Sequence, residues 1–189
     1  VDVSKLQPTW LWVLDFEHPP PTVERQIKRM FCLTAMTILS QSVTLIQSGT
    51  RIRDVKELFA RTVEWVREQA SDELTRQESA WLKVPPEDWV EGQVIYGCLR
   101  FQGAAVIGWA LGLTEWKPIW EIYQLDDFEF RLLGSSVQAV IGLTGPRQHE
   151  DVKFKKSVVS GWQWRANLAR LPGGGFFPKR ISRKRGIAV

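Results

Sequence analysis

From Met30 to Thr50 the chain carries no charged side chain. Such a run has to be withdrawn from water, so the fold must be built around it or across a membrane. A spanning helix needs about 20 predominantly apolar residues. Thr34, Thr37, Ser40, Gln41, Ser42, Thr44, Gln47 and Ser48 interrupt the run, which favours the interior of a soluble protein over lipid. A second uncharged stretch, Phe101–Thr114, is too short to span. With 189 residues and 44% hydrophobic side chains, one domain with a real core is expected. That composition excludes collagen-like, disulfide-scaffold and low-complexity chains. Val1–Leu14 lacks the basic start and apolar run of a signal peptide. A valine-coded start would point to a bacterial gene.

The periodicity is helical. Pro19-Pro20-Pro21 forms an opening loop and Thr22 is placed to cap the first helix. Ile27, Met30, Phe31, Thr34/Ala35, Ile38 and Leu39 fall at helical spacing, and Ser48-Gly49-Thr50 ends that helix. Val55, Leu58, Phe59, Thr62, Val63 and Val66 define a second amphipathic helix. Thr75-Arg76-Gln77-Glu78 is a capping-box pattern opening a short helix through Leu82, stopped by Pro85-Pro86. Residues 87–111 are rich in glycine and alanine. A helix interior loses roughly 1 kcal/mol per glycine relative to alanine, so this segment must be held by close packing and is expected at the centre. Another helix is expected near Ile119. Leu132–Gly145 reads either as a helix or as a pair of short strands. Ser157–Leu171 reads as helical and Pro172-Gly173-Gly174-Gly175 ends it. The expected architecture is mainly α: a single multi-helix domain over residues 1–172, with a central small-residue helix and a glycine-hinged basic tail over 173–189.

One stretch resembles a known family. Leu99-Arg100-Phe101-Gln102-Gly103-Ala104-Ala105-Val106-Ile107-Gly108-Trp109-Ala110-Leu111-Gly112 is similar to the signature of the domain-of-unknown-function family 4272, with Arg100 and Trp109-Ala110-Leu111-Gly112 in register. Glu24–Arg29 looks like that family's opening helix, Thr75–Leu82 like its Glu-containing segment, and Trp162-Gln163-Trp164-Arg165 falls near its Arg/His/Trp helix. The chain departs from the pattern at Leu99 and Gln102, where the family has Trp and Glu, and its closing helix finds only an echo in Ile181–Val189. The resemblance implies a helical fold and a bacterial origin, and brings no settled activity.

Residues that carry chemistry are scarce. Of the two histidines, His18 lies in the proline-rich loop. His149-Glu150-Asp151-Val152-Lys153 has lysine where a zinc-protease motif needs its second histidine. Gly173-Gly174-Gly175 lacks the Gly-Lys-Ser/Thr of a phosphate loop and reads as a hinge. Neither a metal nor a cofactor is expected, and no catalytic residue is assigned. Cys32 and Cys98 both sit in apolar stretches and read as buried, reduced thiols, which fits the cytoplasm. The carboxylate clusters Glu87/Asp88/Glu91 and Asp126/Asp127/Glu129 suit helix starts and solvated faces. Arg100, with Gln102, sits among apolar residues and needs a partner such as Glu78, so these three are expected to form a structural polar anchor.

Two features point outward. Residues 151–189 hold ten basic side chains and one acidic, against a surplus of acid before them. Lys179, Arg180, Arg183, Lys184 and Arg185 lie behind the glycine hinge, beside Phe176 and Phe177. They suit an acidic protein, phosphates or solvent alone. The second feature is ten tryptophans. Trp65, Trp81, Trp109 and Trp120 have core-like neighbours. Trp10, Trp12, Trp89, Trp116, Trp162 and Trp164 lie near loops or element ends. Trp162, Trp164, Arg165 and the five tail cations are the expected partner-binding set. The function this favours is non-enzymatic: a bacterial interaction protein, of the immunity type that binds and neutralises another protein. The alternatives are a nucleic-acid accessory protein working through residues 153–185, and an enzyme with a carboxylate/arginine pocket.

Overall fold

Thr22 begins the fold as its position suggests: its side-chain oxygen accepts the Arg25 N–H, and helix α1 runs Val23–Gln47. In the computed structural model the residues described are 21–49, 52–117, 132–148 and 151. After α1 come α2 (Ile52–Ala70), a 3-10 turn (Ser71–Glu73), α3 (Arg76–Trp81), a second 3-10 turn (Pro86–Asp88), α4 (Glu91–Ala110) and α5 (Val137–Ile141). Helix accounts for 72% of the described residues and no strand occurs among them, so the fold is mainly α.

The uncharged run becomes the middle of the molecule. Every residue from Met30 to Ser40 is buried, all the way round the helix. Buried hydroxyls are tolerated there because the helix's own carbonyls accept them: Thr37 donates to Leu33, Ser40 to Met36 and Ser42 to Ile38, each four residues back. By length and composition α1 is long and apolar enough to cross a membrane, and 78% of its most apolar window is buried within the protein. Helices α2, α4 and α5 pack against it. From α2 come Val55, Phe59, Thr62, Val63, Val66 and Ala70, one stripe at helical spacing.

The small residues of α4 do what their composition requires. Gly97 sits so close to α1 that an added Cβ would lie 1.7 Å from Ser40 Oγ and 2.8 Å from the Met36 carbonyl oxygen. Thr37 also donates to the Gly97 carbonyl at 3.0 Å. Further along, Gly103 lies over Leu33, so residue numbers rise on α4 as they fall on α1 and the helices run antiparallel. Only one side of α4 is used this way. Gly97, Phe101, Ala104, Ala105 and Gly108 are buried, whereas Val90, Ile95, Tyr96, Leu99 and Val106 are exposed. The most enclosed helix is therefore α1, with α4 held tightly onto it.

Helix α4 ends in a glycine turn. Gly112 has φ +75°, Leu113 N–H reaches Gly108 O and Gly112 N–H reaches Trp109 O, the paired bonds of a Schellman cap. The chain then returns: Gly145 and Arg147 donate their N–H groups to Leu111 O and Ala110 O, satisfying carbonyls the helix end leaves open. The segment 132–145, open between helix and strands, forms α5 with Ser136 as its cap. The helix expected near Ile119, the segment 157–171 and the tail 173–189 lie outside the described residues.

Candidate functional site

Glu78 is the best-defined polar group in the molecule. The capping box is formed: Thr75 Oγ1 accepts the Glu78 N–H, and Glu78 Oε2 accepts the Thr75 N–H at 2.9 Å. Its partner is not Arg100. Arg29, on the first part of α1, donates from Nη1 to Oε2 at 2.6 Å and from Nη2 to Oε1 at 2.8 Å, a bidentate pair. Burial alone would raise the Glu78 carboxyl. The bonds from Arg29 and Thr75 outweigh it and hold the group below the ordinary glutamate value. With both oxygens engaged and the side chain 1% exposed, Glu78 anchors α3 to α1 and is withdrawn from solvent. Around it, Arg25 pairs with Glu73 and Lys28 with Asp72, which fastens the α2–α3 turn to α1.

Arg100 has a different neighbour. Its guanidinium carbon lies 3.7 Å from the centroid of the Tyr96 ring, a cation–π stack one turn back on α4. Its Nε is buried without a hydrogen-bond partner. Burial draws the Arg100 pKa down, Glu78 pulls it up and Arg29 opposes, so Arg100 feels the Arg29–Glu78 pair without joining it. Arg29 took the place because it reaches Glu78 from the charged first turns of α1. Gln102 lies half-buried on α4 two residues further on. The expected anchor of Glu78 with Arg100 is thus replaced by Glu78 with Arg29. The sequence signal for Arg29 was its position as the last charge before the uncharged run.

The aromatic residues form a chain from the interior to the surface. Phe59 meets Trp89 at 6.1 Å between ring centroids, Trp89 meets Trp81 at 6.0 Å, and Trp81 meets Tyr96 edge-on at 5.2 Å. Trp65 and Trp109 are buried as well, Trp65 beside Phe31 with its N–H on Ser135 O. Trp89, placed by its sequence position near an element end, is 3% exposed and part of the core. Trp116, from the same group, packs edge-on against Trp109. Tyr96 is the outer end of the aromatic chain.

Tyr96 opens onto a groove of about 510 Å³, lined also by Gln77, Trp81, Val84, Asp88, Val90, Gly92 and Gln93. Local structure sets its walls. Gln93 Oε1 accepts the Val90 N–H to start α4, and Trp89 N–H holds the Val84 carbonyl across the Pro85-Pro86 turn. Its floor is aromatic and its rim carries two amides and a carboxylate. The groove is open to solvent, so a small molecule would be covered on one side only, whereas most small-ligand sites enclose their ligand. None of Gln77, Trp81, Gln93 or Tyr96 was singled out as a binding residue. The signal for Tyr96 was its place among apolar residues at helical spacing on α4, whereas Gln77 and Trp81 come from α3.

The thiols divide. Cys32 is buried, bonds Ala70 O through its S–H, and is pushed up to about 12 by burial despite the pull of Arg29. Cys98 is exposed, contrary to its apolar neighbourhood, because it falls on the side of α4 away from α1. Among the described residues no group of three or more His, Cys, Asp or Glu is placed to hold a metal ion. The acidic pair Glu87/Asp88 forms part of a 3-10 turn, with Glu87 paired to Lys56. Trp162, Trp164, Arg165, Lys179, Arg180, Arg183, Lys184, Arg185, both histidines and the 126–129 cluster lie outside the described residues. No family model matches the chain, and neither the curated proteins nor the solved structures include a significant match.

Proposed function

We propose that this is a non-enzymatic interaction protein of the bacterial cytoplasm, of the immunity type that binds another protein and neutralises it. It holds an extended segment of that partner in the groove between α3 and α4. The observation that carries this reading is the outcropping of the aromatic chain at Tyr96, in an open groove with amides on its rim. Aromatic side chains supply large contact area at small entropy cost, which is why they recur as interface anchors. Tyr96 is also braced by Arg100, so the anchor is pre-organised before binding. Two free cysteines, one exposed, suit a reducing compartment. The enzyme alternative draws no support from Glu78, whose oxygens are both committed to Arg29 and Thr75. In this proposal the chain is a distant relative of the family it resembles over residues 99–112, and the basic residues 179–185 add affinity for an acidic partner.

The test is capture from the source cell with the full chain as bait, with and without nuclease, beside Tyr96→Ala. A stoichiometric protein that survives nuclease and is lost at least tenfold with Tyr96→Ala, at unchanged helical content, is the expected result. Equal capture by Tyr96→Ala would overturn the groove. Loss of all bound material on nuclease treatment would favour nucleic acid held by residues 153–185. That second reading rests on the ten basic and one acidic side chains of residues 151–189, and its signature is a steep fall of binding with salt.

A further inference from the structure

Arg100 is a cation without a counter-ion at one end of the groove. Of the residues lining the groove, Tyr96 lies furthest along α4, and Arg100 follows one turn later, its guanidinium carbon 3.7 Å from the Tyr96 ring centroid. Glu78, whose charge Arg100 feels, is held by both Nη groups of Arg29. The Nε of Arg100 is buried without a hydrogen-bond partner, and the side chain forms no ion pair among the described residues. A guanidinium drawn partly out of water and left unpaired is in an unfavourable state that a carboxylate relieves. A ring stacked on a guanidinium occupies its face, whereas the N–H donors lie in its plane, so the stack on Tyr96 does not use them up.

The other end of the groove carries the opposite charge. Asp88 lines it just before α4, and Glu91 stands on the first turn of that helix, both exposed. A polyanion would meet these carboxylates, which disfavours the phosphates of a nucleic acid. A protein segment with a single carboxylate at the Arg100 end and apolar side chains on Tyr96 and Trp81 meets no such repulsion. From Glu91 to Arg100 the helix rises about 13 Å, which about four residues of extended chain cover. We infer that the groove selects a segment carrying an aspartate or glutamate beside the apolar residue seated on Tyr96, with Arg100 as the specificity-determining residue that pairs with that carboxylate. This rests on the groove holding a partner segment, and adds the chemistry by which it chooses one.

Random peptides displayed on phage and selected on the full chain supply the probe. The strongest binder is then synthesised with its acid as glutamate and as glutamine. The expected selection shares an aspartate or glutamate beside an aromatic or large apolar residue, and the parent binds the glutamate form at least tenfold better than the glutamine form. Arg100→Gln should bring that ratio close to one, and Arg100→Glu should favour lysine at the same place. The ratio, unlike affinity itself, does not move if Arg100 only braces Tyr96. Two results would overturn the inference and leave the groove standing, provided that binding is lost in Tyr96→Ala. One is a ratio near one on the parent; the other is a preference for acid that persists in Arg100→Gln. Binding that Tyr96→Ala retains, or a selection that yields no binder, would remove the groove reading and this inference with it. If Arg100→Gln does not fold, Arg100→Lys, which keeps the charge but not the planar fork, should cut the ratio several-fold, and an unchanged ratio would overturn the inference.

Discussion

Gly97 shows how much one residue can fix. The space for its missing Cβ is occupied by Ser40 Oγ and the Met36 carbonyl oxygen, and the second of these is backbone that cannot rotate aside. Gly97→Ala gains about 1 kcal/mol of helix propensity. It also forces α4 off α1, where overpacking costs about 3 kcal/mol. A net loss of about 2 kcal/mol is expected in denaturant unfolding. Glu78 sets a second expectation. Its folded-state pKa lies below the ordinary glutamate value of 4.5, so the unfolded chain takes up the proton more readily. The stability this pair contributes is present in full above that range and is lost as pH falls through it toward the folded value. Glu78→Gln should lower stability by about 3 kcal/mol at pH 7 and flatten the acid side of the profile below the ordinary glutamate value of 4.5. Unfolding midpoints across that range would show both effects, and a variant as steep as the parent would contradict the assignment.

At the scale of the element, helix limits were legible where local chemistry sets them. Thr22, the Thr75–Glu78 box and the Pro85-Pro86 stop all mark boundaries through bonds within a few residues. The environment around a helix was harder to read. Small residues on α4 announced a close contact, but not that one side only would be used. The hydroxyls of α1 interrupt its apolar run, yet each of Thr37, Ser40 and Ser42 donates its proton to the preceding turn. Choosing Arg29 over Arg100 for Glu78 required knowing which turns of α1 and α4 reach α3, information that lies in the packing. The C-terminal cap of α4 can be tested directly. Gly112 has φ +75°, and an added Cβ would lie 2.2 Å from the Gly145 carbonyl oxygen. Gly112→Ala combines backbone strain with that clash, so a loss of about 2 kcal/mol is expected. Faster amide exchange at Gly145 and Arg147, whose N–H groups bond the helix end, should accompany it. Unaltered exchange at both would show that the returning segment does not depend on the cap.

For the molecule as a whole, the sequence indicated a helical domain with many tryptophans and little catalytic equipment. The described helices agree with the fold class. Most of the tryptophans among the described residues proved to be structural: Trp65, Trp81, Trp89 and Trp109 are all buried. The tyrosine-edged groove between α3 and α4 is a candidate site beside the tryptophans and tail cations of residues 162–185, which lie outside the described residues. Composition could not have located it, because Tyr96 matters through where the aromatic chain surfaces. The most direct check of that claim is amide hydrogen exchange of the full chain, free and saturated with the protein it captures. Binding in the groove should slow exchange at Gln77–Trp81 and Gln93–Tyr96 while leaving the buried middle of α1 unchanged. Protection confined to residues 153–185, with 77–96 exchanging as in the free chain, would contradict it.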